Sequence, residues 1–183
     1  MSEVPSRRVF FALWPDDEAM SHLAALAQDL TTGGGRVMRP ALLHLTLAFV
    51  GSVAQGRIQL LEEIAGAVRV ESFELRLDRL GFWPQGGILW AGCRRPPAPL
   101  RALAGALVAD LRAAGFAIDA RSGTNMAPHV TLARRARCAS LPRLGTPINW
   151  QVGEFALVES HLHSSAASYK TLARFPLAEA VAG

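Results

Sequence analysis

Two tetrads dominate this chain: His44–Leu45–Thr46–Leu47 and His129–Val130–Thr131–Leu132. Each alternates a polar residue with an apolar one. In an extended strand, alternate side chains point to opposite faces, so each tetrad sets a histidine and a threonine on one side and two aliphatic residues on the other. With 5 histidines in the chain, two such tetrads arise by chance on the order of once in a thousand trials, by template counting. A single tetrad would read as an ordinary strand face. Its duplication implies two similar halves whose equivalent faces meet across a pseudo-two-fold cleft.

Phosphodiester displacement is the chemistry such a pair serves. The attacking oxygen loses a proton on one side of phosphorus while the leaving oxygen gains one on the other. Imidazole performs both tasks near neutral pH when one ring is neutral and its partner protonated. Charge also builds on the non-bridging oxygens, where the Thr46 and Thr131 hydroxyls could donate, with an arginine adding positive charge. This scheme calls for no metal and no cofactor.

Several elements must position these residues. RVFFALW (8–14) reads as a buried strand closed by Pro15, and 16–30 as a helix with acidic residues in its first turn. Strands follow at 44–51, 72–83 and 87–93, the last two forming an antiparallel pair about Pro84–Gly87. Helices are expected at 57–70 and 100–115, and further strands at 129–135, 150–163 and 168–177. Arg94–Pro99 reads as the seam between the halves. Alanines follow both tetrads (Ala48 and Ala133) and are expected on the His/Thr face, leaving space above it. Strands and helices mix without strict β-α-β alternation, so the class is α+β with antiparallel sheets.

The totals agree with a folded, soluble chain. Its 183 residues suit one domain made of two halves, and at 50% hydrophobic they can bury a sizeable core. No apolar run is long enough to span a bilayer, and the N-terminus lacks an apolar signal region. Cys93 and Cys138 fall in no metal-binding spacing, so reduced thiols in the cytoplasm are expected. The net charge of +4 comes almost wholly from arginine, with a single lysine, Lys170. Arginine's planar fork suits phosphate, and it clusters at Arg7–Arg8, Arg94–Arg95 and Arg134–Arg135–Arg137.

With both motifs in hand, the chain resembles the two-histidine phosphoesterases, specifically the RNA 2′,3′-cyclic phosphodiesterases, also called 2′-5′ RNA ligases. The likeness runs nearly end to end, through RVFFALWP, RPALLHLTLAFVG, GFWPQGGILWAGC, APHVTLARR and the closing LVESHLHSSAASYKTLARFPL. It implies a single two-lobed domain over residues 1–183, with two antiparallel sheets facing a central basic cleft and helices packed outside. It also implies that His44 and His129 are catalytic, His44 giving a proton to the leaving 3′ oxygen and His129 activating water. Thr46 and Thr131 would bind the phosphate, and Arg134 would either contact phosphate or form a structural salt bridge. The expected activity is hydrolysis of RNA 2′,3′-cyclic phosphate ends to 2′-phosphates, with ATP-independent ligation as its reverse. The partner is then RNA carrying such ends, with no membrane and no metal, and the protein is expected to be a monomer. A non-catalytic RNA-binding module and a phosphodiesterase for a small nucleotide-derived metabolite are the competing readings.

Other features carry less. His161–Leu162–His163 offers two histidines at strand spacing, but zinc sites usually declare three or four ligands. His22 falls inside a helix near its surface. Gly33–Gly35 lacks a phosphate-loop context and reads as a helix-ending loop. No Gly-x-Ser-x-Gly pattern supports a serine nucleophile. Phe10, Phe11, Trp83, Trp90 and Tyr169 read mainly as strand core, with one of them able to stack a base near the cleft.

Overall fold

The structure, a computed structural model, describes residues 5–31, 34–119, 122–123, 127–138, 140–162 and 167–179. In chain order the elements are β1 (Ser6–Leu13), α1 (Asp17–Leu30), β2 (Arg36–Val37), β3 (Leu45–Ala54), α2 (Ile58–Ala67), β4 (Phe73–Leu77) and β5 (Arg79–Trp83). They continue with β6 (Ile88–Gly92), α3 (Ala98–Ala113), β7 (His129–Arg134), β8 (Ile148–Val152), β9 (Glu154–Leu162) and β10 (Ala167–Pro176). Residues 121 and 124–126 of the expected loop at 121–128 lie outside the described residues, as do Gly33 and His163.

The α+β class and the antiparallel pairing are as expected. One sheet runs β10-β9-β1-β3-β7-β6-β5, with β2 added on β7, and a second consists of β4 and β8. The large sheet is itself two arrays joined edge to edge. β3 and β7 share one register pair, Leu45 with Val130. About this seam the order is two-fold: β1 lies beside β3, as β6 lies beside β7, and each pair is linked through a helix, α1 or α3.

This topology moves the seam in the sequence. β5 and β6 pair with β7's array, so Arg94–Pro99 does not divide the halves; it connects β6 to α3 inside the second one. α3 starts earlier than expected because Pro99 falls in its first turn, where a missing N–H costs nothing. Two expected strands are each divided. The run 72–83 breaks at Asp78 and 150–163 at Gly153, and each break sends the chain from the small sheet to the large one.

The core lies on one face of the large sheet. Val9, Phe11 and Leu13 of β1 point into it, as do Leu45 and Leu47 of β3, all fully buried. Helix faces (Leu23, Leu61, Leu107) and the small sheet (Leu75, Trp150) close it from behind. Burying each such Leu or Phe contributes about 2 kcal/mol. Asp16 ties α1 to this assembly: Oδ1 accepts from the Ala19 N–H at 2.8 Å, capping the helix, and Oδ2 accepts from the Gln151 N–H of β8 at 2.9 Å. The opposite face carries a small cluster of Phe10, Ala12, Ala156 and Val158. That face holds the cleft. No helix among the described residues is long and apolar enough to cross a membrane.

Candidate active site

The two tetrads lie side by side at the seam. Continued one residue each way from Leu45–Val130, the antiparallel register sets His44 opposite Thr131 and Thr46 opposite His129. The histidines therefore occupy one diagonal of a four-residue rectangle and the threonines the other. The two rings are near enough to act on each other, since the charge of His129 is among the causes that depress the His44 pKa. All four residues, with Arg134, line a single cavity of about 730 Å³.

Both imidazoles are anchored the same way. His44 Nδ1 lies 2.7 Å from the Leu42 carbonyl, and His129 Nδ1 lies 2.7 Å from the Ala127 carbonyl. A carbonyl only accepts, so each Nδ1 carries a proton, and Nε2 is the nitrogen left for chemistry. The anchors lie two residues upstream in both halves, so the duplication extends to side-chain tautomer.

The environments differ in depth. His44 packs against Phe10, Trp14 and Tyr169 at ring-centroid distances of 5.1, 5.2 and 5.2 Å. Burial there lowers its pKa to about 4; the Leu42 hydrogen bond opposes this, while His129 and Arg134 depress it further. His129 rests against Trp83 at 4.6 Å and Trp90 at 6.2 Å. Its pKa is also lowered, by burial first and by Arg134, against the Ala127 hydrogen bond. Both rings are neutral at pH 7 while the cavity holds no anion.

A matched irregularity follows each tetrad. On β3, Phe11 and Ala12 pair with Ala48 and Thr46, leaving Leu47 as an extra residue. On β7, Leu89 and Trp90 pair with Ala133 and Thr131, leaving Leu132 extra. These are β-bulges, which break strict alternation. Ala48 and Ala133 consequently turn into the core, fully buried, rather than lying on the His/Thr face. The phase change brings the next residues, Phe49 and Arg134, round to the cavity. Strict alternation would have buried the Arg134 guanidinium.

Of the surrounding wall, sequence reasoning offered Arg8 only within a phosphate-suited arginine cluster, and it missed Arg36, Arg39 and Ser160. Arg8, Arg36 and Arg39 join Arg134, so four arginines and no carboxylate appear among the cavity's described residues. Arg8 rests over the Phe49 ring at 4.7 Å. Tyr169 pairs with Ser160 across β10 and β9, and both reach the cavity. Burial raises the Tyr169 pKa while Arg134, Arg36 and Arg8 pull it down, leaving a neutral phenol that donates. Of the aromatics read as strand core, Phe11 is core; Phe10 and Tyr169 line the cavity, and Trp83 and Trp90 back His129. His22 is exposed on α1. His161 faces Glu159, Nε2 to Oε2 at 3.6 Å.

Known proteins share this frame. The family model of the 2′-5′ RNA ligase superfamily matches residues 15–164. A relative from Escherichia coli K12, named RNA 2′,3′-cyclic phosphodiesterase, is 31% identical over 175 residues, spanning 94% of this chain and 98% of its own. A crystal structure described as a phosphoesterase superposes with TM-score 0.88 at 30% identity, covering 96% of this chain and all of the other. E. coli LigT complexed with 3′-AMP gives TM-score 0.86 at 30% identity over the same shares. With one family model across most of its length and full-length relatives of matching fold, this chain belongs to the 2′-5′ RNA ligase superfamily.

Proposed function

We propose that this protein hydrolyses RNA 2′,3′-cyclic phosphate ends to 2′-phosphomonoesters with His44 and His129 as a metal-independent acid–base pair. One observation carries the reading: two imidazoles held alike through Nδ1, with Nε2 not used by those anchors, share one arginine-lined cavity with two threonines. In the forward reaction His129 Nε2 takes a proton from water as its oxygen bonds to phosphorus. The bond from phosphorus to the 3′ oxygen breaks, and that oxygen takes the proton held by His44 Nε2. Thr46 and Thr131 donate to the non-bridging oxygens, and Arg134 balances their charge. The same sequence with a 5′-hydroxyl attacking in place of water, its proton taken by the base as its oxygen bonds to phosphorus and the 3′ oxygen leaves, is 2′-5′ ligation without ATP. Run backwards, it cleaves a 2′-5′ linkage to a cyclic phosphate and a 5′-hydroxyl.

The pair needs one proton to begin. The cyclic phosphate supplies the means, because its negative charge between the rings favours a charged imidazole and offsets the burial penalty. A second assignment exchanges the roles, with His44 as base. The deeper depression of His44, to about 4, favours it. A phosphodiester with a nitrophenolate leaving group separates the two, since that group departs without a proton. The variant lacking the acid keeps activity on it; the variant lacking the base does not.

The reading is tested on a nucleoside 2′,3′-cyclic phosphate. Hydrolysis is expected to persist in EDTA and to yield the 2′-phosphate. His44→Ala and His129→Ala are each expected to lose about a hundredfold or more in rate. Near-normal turnover by His129→Ala would overturn the paired mechanism, and loss of activity in EDTA restored by zinc would overturn metal independence.

A further inference from the structure

A second cavity, of about 320 Å³, opens beyond the edge strand β5. Arg79, Arg94 and Arg143 line it, above an apolar floor that includes Leu80 and Leu141. None of the three arginines has a carboxylate within ion-pair distance among the described residues. Asp78 is the nearest acid in sequence, and its Oδ1 accepts from the Arg94 backbone N–H at 2.8 Å. Three guanidinium groups without a paired carboxylate favour an anion, and their fork geometry matches phosphate oxygens.

Its position relates it to the catalytic pair. Arg79 is registered with Gly92 of β6, and Gly92 with His129 of β7, so the three form one row across adjacent strands. Two strand spacings separate the row's ends, about 10 Å. Trp90 touches both ends of the interval: its ring centroid is 6.2 Å from that of His129, and the Arg79 guanidinium lies 4.9 Å from it. Gly81 makes this possible, since a Cβ there would come within 1.9 Å of the indole. A nucleic-acid strand carries one negative charge per nucleotide. Arg79, at the cavity's edge, is thus two strands from His129, a span that one or two nucleotides of a chain ending at the histidines can cover.

We propose that the Arg79–Arg94–Arg143 cavity binds a backbone phosphate of the RNA strand, one or two nucleotides from the cyclic end, so that the enzyme prefers oligonucleotides to mononucleotides. This rests on the function proposed above and specifies its substrate as a chain. Trp90 itself is buried, but Trp83, half-buried and packed 5.2 Å from it between centroids, is the ring on this stretch that an intervening base or sugar could meet.

The test compares the wild type with an Arg94→Gln/Arg143→Gln double variant on two substrates: a mononucleoside 2′,3′-cyclic phosphate and a tetranucleotide with the same end. The double variant is expected to lose about tenfold in kcat/KM on the tetranucleotide, through KM, and to stay within about twofold of wild type on the mononucleotide. The slope of log binding constant against log salt for the tetranucleotide is expected to fall by about 0.7 for each phosphate contact removed. Equal losses on both substrates, or no loss on either, would overturn the proposal. Binding of a fluorescent tetranucleotide bearing a 3′-phosphate, followed by polarisation, decides the matter without turnover. If the wild type hydrolyses neither substrate, the catalytic reading fails, while weaker binding by the double variant still supports the cavity and unchanged binding refutes it. A charge-reversed Arg143→Glu variant, checked by thermal melting, guards against a merely unfolded double variant.

Discussion

His44 ties stability to pH with a size that follows from its burial. Its pKa falls from 6.5 in the unfolded chain to about 4 in the folded one. As pH drops, the unfolded chain therefore takes up this proton first. The stability from keeping the ring neutral is complete above about 6.5, drains away between 6.5 and 4, and levels off below. At pH 5 the unfolded imidazole is almost wholly charged and the folded one about a tenth charged, a penalty of about 2 kcal/mol. One edge of the ring is open to the cleft, so solvent screening makes this an upper figure. Urea denaturation at pH 7.5 and pH 5 measures it, with His44→Gln as a variant that cannot charge at this position. The wild type is expected to lose up to about 2 kcal/mol more than the variant between the two pH values. Inorganic phosphate is expected to shrink the difference, because an anion in the cavity stabilises the charged ring. Parallel losses in the two proteins, or an imidazole resonance assigned to His44 that titrates near 6.5, would refute the reasoning.

Two further outcomes are expected. Thr131→Val keeps the shape of the side chain but removes its hydroxyl, and is expected to lower kcat for cyclic phosphate hydrolysis by about tenfold to a hundredfold, with little change in KM. Steady-state kinetics checks this, and a loss confined to KM would count against a donor acting on developing charge. Gly81→Ala puts a methyl 1.9 Å from the Trp90 indole and forces the ring off the strand. A loss of about 1–3 kcal/mol is expected in chemical denaturation, with the Trp90 fluorescence environment altered.

The centre of the candidate site is legible in the sequence because it is written twice. His44, Thr46, His129 and Thr131 form two tetrads whose alternation alone fixes which side chains travel together. What surrounds them depends on relations the chain does not spell out locally. VFFALW reads as one apolar run, so nothing local shows that Phe10 and Ala12 face the cavity side while Phe11 and Leu13 enter the core. Tyr169 and Ser160 arrive through pairing of β9 and β10, far along the chain from the tetrads. Arg36 belongs to a strand of two residues, too short for any periodicity. The runs 72–83 and 150–163 each keep strand composition across a break, so only the pairing shows that Asp78 and Gly153 change sheets.

The paired bulges have one more consequence. They open equivalent positions in the two halves, and the chain fills them unequally: an aromatic ring, Phe49, beside the first tetrad and a cation, Arg134, beside the second. A doubled scaffold with identical occupants would present the same surroundings whichever way round a ligand entered. Here these two side chains add to the unlike aromatic surroundings of the two histidines in breaking the symmetry of the frame, so the cleft has a head and a tail, and an asymmetric ester meets different neighbours in each orientation.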